Sequence, residues 1–152
     1  MILVDSSVFI ARFKAEPGWE ALTAPIGSEP YVVPASVLVE VGMRVRTLAG
    51  LRRGASPTDA AADMHLALRG VREGAADILP IDADIAVAAT ETFAAYGKGT
   101  GHPARLNFGD CLVHAVAKRS GLPLLFKGDD FRHTDLDLHP ASQDGAGRTL
   151  GD

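Results

Sequence analysis

Leu106-Asn107-Phe108-Gly109-Asp110-Cys111-Leu112-Val113-His114-Ala115-Val116-Ala117-Lys118 is the stretch on which the reading of this chain turns. Asn107 is a good helix N-cap, because its side-chain oxygen can accept a first-turn backbone N–H. Leu112, Val113 and Val116 recur at helical spacing and predict a helix with one face in a core. Asp110 lies in the first turn, one turn before His114. An acid there can simply complement the helix dipole, and for Asp110 alone that alternative stays open. Other acids, placed just past the ends of apolar strands, change its meaning.

Before this stretch, Gly97-Lys98-Gly99-Thr100-Gly101-His102-Pro103-Ala104-Arg105 is the most loop-like interior segment. Its glycines and Pro103 exclude regular structure, and Lys98, His102 and Arg105 make it basic. No strand precedes the glycines, so they are not a nucleotide-binding fingerprint. A phosphate-contacting loop and a plain connection both remain open. After the stretch, Leu122-Pro123-Leu124-Leu125-Phe126 reads as a strand that ends in Lys127-Gly128-Asp129-Asp130-Phe131. Leu136-Asp137-Leu138 predicts a last short edge strand. From Pro140 the chain is polar and glycine-rich and predicts a frayed tail. The expected division is a domain over 1–139 and a flexible tail over 140–152.

At the other end, Met1-Ile2-Leu3-Val4 predicts a buried parallel strand. It runs into Asp5-Ser6-Ser7, ahead of a helix through Val8-Phe9-Ile10-Ala11. A carboxylate just past a strand's C-terminal end sits where α/β folds place ligands. A plain N-cap role for Asp5 or Ser6 is the alternative. Pro17–Ile26 predicts a short helix with Trp19 and Leu22 inward. Tyr31-Val32-Val33 is the second strand, and Pro34 suits the start of the next helix. There Val37, Val41, Val45 and Leu48 form one apolar stripe. Glu40 lies on the neighbouring face, and an ordinary surface pair with Arg44 is its alternative. Ser56 caps the following helix, with Asp59 completing a capping-box pattern. Asp77–Ile81 is the third strand, and Asp82 caps a helix over Ala83–Tyr96. Capping explains Asp82 and Asp84 better than a metal pair does.

The composition agrees with one domain: 152 residues, 47% hydrophobic and 22% charged, can bury a real core. No apolar run is long enough to span a membrane, and no basic leader precedes the first strand, so a cytoplasmic protein is expected. The single Cys111 excludes an internal disulfide and fits a reducing compartment; it reads as a small buried hydrophobe. The net charge of −4 comes from 15 basic and 19 acidic residues. Overall charge is a poor guide where acids gather at a metal.

Strands alternating with helices imply a mostly parallel sheet covered by helices on both faces. Asp5 and the Asp129-Asp130 pair then end strands at one edge, and Glu40 and Asp110 sit on helices that begin there. Such carboxylates repel and raise one another's pKa. A hard divalent cation, Mg²⁺ or Mn²⁺, is what makes the arrangement useful, since it takes oxygen ligands and activates water.

Four separated motifs carry a resemblance: Val4-Asp5-Ser6-Ser7, Ser36-Val37-Leu38-Val39-Glu40, Asn107-Phe108-Gly109-Asp110-Cys111 and Lys127-Gly128-Asp129-Asp130-Phe131. Together they resemble the PIN-domain ribonucleases of the VapC toxin type, over nearly the whole chain. The resemblance implies a PIN-like three-layer α/β/α sandwich with a central, mostly parallel sheet of four to five strands. It implies a metal-dependent endoribonuclease with Asp5, Glu40, Asp110 and Asp130 as the acids, Asp5 and Asp110 closest to the metal, Asp129 a neighbour and Ser7 in support. Ser6 stands where the family often has Thr. RNA is the implied substrate, with Arg44, Arg46, Lys98, Arg105 and Lys127 as candidates to position it. A cognate antitoxin and a homodimer are the implied partners. Val39, Met43 and Leu51 fall off the apolar stripe and suggest a groove for an antitoxin helix, beside Arg44, Arg46, Arg52 and Arg53. The other readings are a silent PIN-fold binding module and an aspartyl-phosphate phosphatase or receiver. Ser7, where such a phosphatase needs a second Asp, speaks against the last.

Overall fold

The computed structural model describes residues 1–150. Its sheet starts from two runs buried along their length, β1 (Ile2–Val4) and β2 (Tyr31–Pro34). Both faces are covered, so these strands are continuously apolar rather than alternating. β3 (Asp77–Leu79) and β4 (Leu124–Leu125) complete four strands in the order β3-β2-β1-β4, every pairing parallel. The register sets Ile2 beside Tyr31, Leu3 beside Leu124 and Val33 beside Ile78.

The connections explain the layers. α1 (Ser6–Lys14) and α2 (Trp19–Ser28) join β1 to β2, and α3 (Ala35–Gly50) and α4 (Pro57–Gly74) join β2 to β3. Both steps run the same way across the sheet. α5 (Ala83–Tyr96) and α6 (Phe108–Ser120) then carry the chain back past β2 and β1 to β4. Right-handed crossovers put the first four helices on one face and the last two on the other. The expected α/β/α sandwich is the result. Its ligand edge, at the C-terminal ends of the strands, collects the starts of α1, α3 and α6.

α6 is the most deeply set helix, with Cys111 through Ala117 all buried. His114 is pinned on two sides. Its Nδ1 lies 3.1 Å from Thr92 Oγ1 on α5, and its Nε2 lies 3.0 Å from Asp135 Oδ1. Burial pushes the His114 pKa down. The neutral ring fits both contacts, accepting from the Thr92 hydroxyl and donating to Asp135. Asp135 follows the 3-10 turn Asp130–His133, so the clasp joins α6 to the segment that carries Asp130.

Two expectations need correction. The predicted edge strand Leu136–Leu138 is reduced to one parallel bridge between Leu124 and Leu138. The predicted frayed tail is ordered over 140–150. Ser142 and Gln143 are 0% and 1% exposed. The Ser142 hydroxyl donates to Leu124 O and accepts from Phe126 N. Gln143 N donates to Phe126 O at 3.1 Å, Gln143 O accepts from Gly128 N at 2.9 Å, and its Nε2 donates to Gly18 O at 2.9 Å. The physical reason lies in β4. It is an edge strand, and the backbone beyond it must find partners. A polar strap meets that need without an apolar signature. The last two residues of the expected tail, Gly151 and Asp152, lie outside the described residues. Among the described residues no helix is long and apolar enough to cross a membrane.

Deleting residues 140–152 unpairs the N–H and C=O of buried Phe126 and the N–H of half-buried Gly128, at about 1–3 kcal/mol for each buried group before relaxation. The thermal midpoint should fall by at least several degrees, read in a thermal scan of the truncated chain. An unchanged midpoint would make the strap a passive tail.

Candidate metal centre

Each acid is placed by a local feature of the chain. Asp5 follows β1 and caps α1: its Oδ2 accepts from Ser7 N at 2.9 Å and from Ser7 Oγ at 2.5 Å. The N-cap alternative for Asp5 is therefore real, and it coexists with burial at 6% exposure. Ser7 Oγ also accepts from Lys127 N at 2.9 Å. One hydroxyl thus ties the end of β1 to the chain leaving β4.

Asp110 forms a capping box with Asn107. Asn107 Oδ1 accepts from Asp110 N at 3.1 Å, and Asp110 Oδ2 accepts from Asn107 N at 2.8 Å. Glu40 lies in α3, and no ion pair with Arg44 forms among the described residues, so the surface-pair alternative fails. A Cβ added to Gly109 would meet Glu40 Oε1 at 1.7 Å. Glu40 is packed directly on the first turn of α6, and only glycine leaves room. Asp130 opens the 3-10 turn after Gly128, whose φ of 131° is a conformation side chains rarely adopt.

Asp5, Glu40, Asp110 and Asp130 line one cavity of about 660 Å³, together with Ser7, Arg44 and Lys127. None of the four acids forms an ion pair among the described residues. The electrostatic result is uniform. Burial, then the Asp5, Asp130 and Glu40 charges, push the Asp110 carboxyl up to about 7, against the Asn107 N–H that favours its ionised form. Burial raises Asp5, opposed by the Ser7 hydrogen bonds. Burial and then Asp5 raise Glu40, and burial, Asp129 and Asp5 raise Asp130, with Arg105 opposing.

Of the basic candidates, Arg44 and Lys127 line the cavity, and Arg105 stands close enough to act on Asp130. Arg46 and Lys98 do not line it. Arg46 sits over Gly50 on α3, and the Lys98 backbone N–H pairs with Leu106 O. Asp129 lies outside the lining and reaches toward Arg132 at 3.6 Å.

The sequence reading missed Glu16 and Lys14. The Lys127 side chain is 8% exposed and its Nζ is held 2.9 Å from Glu16 Oε2, and Lys14 also pairs with Glu16. These cations pull the Glu16 pKa down. Ala15 closes α1 in the left-handed region at φ 49° and turns the chain so that Glu16 reaches Lys127. Nothing in a local pattern signals a contact across 111 positions.

The four carboxylates ring the cavity at a distance from one another: among the described residues no three His, Cys, Asp or Glu side chains are gathered closely enough to hold a metal. The donor chemistry nevertheless fits a hard divalent cation. The oxygens are carboxylate, none of the four acids is in an ion pair among the described residues, and burial raises the pKa of each.

In the metal-free protein Asp110 has a raised folded pKa, so the folded state binds its proton more tightly than the unfolded chain. Its stabilising contribution is complete below its ordinary value of 3.8 and is lost as pH rises through about 7. Thermal scans in chelator should therefore show the advantage of wild type over Asp110→Asn shrinking, or reversing, between about pH 5 and about pH 8. A pH-independent difference would contradict the assignment.

Comparison with known proteins gives the family and the fold. The PIN domain family model matches residues 2–136. A VapC ribonuclease of Rhizobium meliloti is 38% identical over 145 residues, covering 90% of this chain and 99% of the relative. Ribonuclease VapC30 of Mycobacterium tuberculosis is 33% identical over 136 residues, covering 89% and 95%. Among solved structures, Mycobacterium tuberculosis VapC20, described as a sarcin-ricin loop cleaving toxin, superposes with a TM-score of 0.63 at 22% identity, covering 90% of this chain and 96% of that one. A toxin–antitoxin complex from Klebsiella pneumoniae gives a TM-score of 0.62 at 15% identity, covering 94% and 99%. The two structures share the fold.

Proposed function

The chain belongs to the PIN domain family, and from that membership we propose that it is the ribonuclease toxin of a toxin–antitoxin pair, hydrolysing RNA phosphodiester bonds with Mg²⁺ or Mn²⁺. The observation that carries the reading is the set of four carboxylates around one cavity without an ion-pair partner. The VapC relatives support the nuclease and toxin parts of it.

In this reading Asp5 and Asp110 hold the metal, Glu40 and Asp130 complete the acidic ring, and Asp129 stays at its edge. A divalent cation bound there supplies Lewis acidity toward a phosphoryl oxygen and lowers the pKa of bound water. Ser7 fixes the Asp5 carboxylate through two hydrogen bonds, and its bond from Lys127 N keeps the two strand ends in step. The Asn107 capping box orients Asp110 at the start of α6. Arg44 and Arg105 attract the RNA backbone toward an otherwise acidic centre. Lys14 adds a cation at the cavity wall, while Lys127 is committed to Glu16 and acts mainly through its backbone N–H. The proposed partner is an antitoxin, the proposed form a homodimer, and the proposed location the cytoplasm.

Cleavage of a single-stranded RNA should need Mg²⁺ or Mn²⁺ and stop in EDTA, and Asp5→Asn or Asp110→Asn should lower the rate by several orders of magnitude. Full activity in EDTA would overturn the metal mechanism. Gly109→Ala tests the packing of Glu40. The helix should tolerate alanine, and the displaced carboxylate should cost about a hundredfold in rate with the fold intact by circular dichroism. Unchanged activity would show that Glu40 does not act from this position.

A further inference from the structure

Phe108 is the first residue of α6 and is 81% exposed, although it stands two positions before Asp110. It belongs to a second cavity, of about 550 Å³, that adjoins the acidic one. Two short ridges face each other across it. Val39 and Met43, 60% and 68% exposed, are one turn apart on α3. Phe108 and Leu112 are one turn apart on α6, and Ile81 also lines the groove. Glu40 and Met43 line both cavities, so the groove opens directly beside the carboxylates.

We propose that this groove is a nucleobase subsite, in which a base next to the scissile phosphate leaves its stack and lies on the Phe108 ring against Met43. The inference rests on the ribonuclease reading above. Three observations favour a base over a protein segment. First, the groove shares walls with the acidic cavity, so a strand whose phosphate lies there must carry a base past Phe108. Second, its volume suits one flat ring with its sugar, whereas an amphipathic helix docks by anchors over two turns or more. Third, Phe108 is 81% exposed and presents an aromatic ring in the groove beside the carboxylates, the kind of face on which a splayed-out base stacks. Aromatic stacking of splayed-out bases is how proteins read single-stranded and looped RNA.

The test uses the full chain and a set of short single-stranded RNAs, each with 2-aminopurine at a different position. Binding is followed by fluorescence in EDTA, so that nothing is cut, and cleavage is followed separately with Mn²⁺. Wild type should quench the probe at one position. Phe108→Ala should abolish that quench and weaken RNA affinity roughly tenfold, raising KM more than it lowers kcat. Phe108→Trp should restore both. If wild type neither binds nor cuts any RNA of the set, the ribonuclease reading itself fails. If wild type cuts but Phe108→Ala has the same quench, KM and affinity, the subsite is wrong. The subsite is equally wrong if Phe108→Ala loses only the binding of a protein partner while RNA handling is unchanged; the groove is then a protein-docking surface.

Discussion

Carboxylates gathered without cations repel one another, and a chain that keeps them together must spend stability on holding them. Here Asp5, Glu40, Asp110 and Asp130 surround one cavity at the C-terminal edge of a parallel sheet. Burial removes the water that would screen them, and the result is visible in Asp110, whose carboxyl is pushed up to about 7. The rest of the structure can be understood as the means of tolerating this. Asp5 and Asp110 are each engaged by helix-capping hydrogen bonds, which favour the ionised form and oppose part of the cost. Lys127 and Lys14 both pair with Glu16 at the cavity wall rather than with the four acids, which leaves one net positive charge there. That leaves the acidic ring free for a cation with open coordination positions.

Holding the ring also explains features remote from it. Ser7 links Asp5 to the chain leaving β4, and the 140–150 strap completes the hydrogen bonding of that same segment. The His114 clasp joins α6, which carries Asp110, to Asp135, five residues past Asp130. Two glycines are required by geometry. Gly109 admits the Glu40 carboxylate against α6, and Gly128 turns the chain into Asp130 at a positive φ.

Much of this was legible in the residues. Apolar runs without alternation marked the buried parallel strands, and Asn107, Ser56 and Asp82 marked helix starts that the structure keeps. Acids just past strand ends pointed to the ligand edge. What stayed hidden has a common character. The strap at Ser142 and Gln143 is polar, and its burial depends on the needs of an edge strand elsewhere. Glu16 reaches Lys127 only because Ala15 reverses the chain. Charge and nearness in sequence point to Arg46 and Lys98, but neither lines the cavity, and Arg46 lies over Gly50 instead. Local propensity shows where elements begin. It does not show which side chains meet across the fold.

The central claim is that the carboxylate ring is a metal site whose protons a cation displaces. Calorimetric titration of Mn²⁺ into the metal-free protein, in buffers of different ionisation heat, counts those protons directly. With Asp110 near 7, binding at about pH 6 should release about one proton per ion, falling toward none at about pH 8. Asp110→Asn should remove most of that release. Binding with no proton release at about pH 6, or with the same release in Asp110→Asn, would contradict the account.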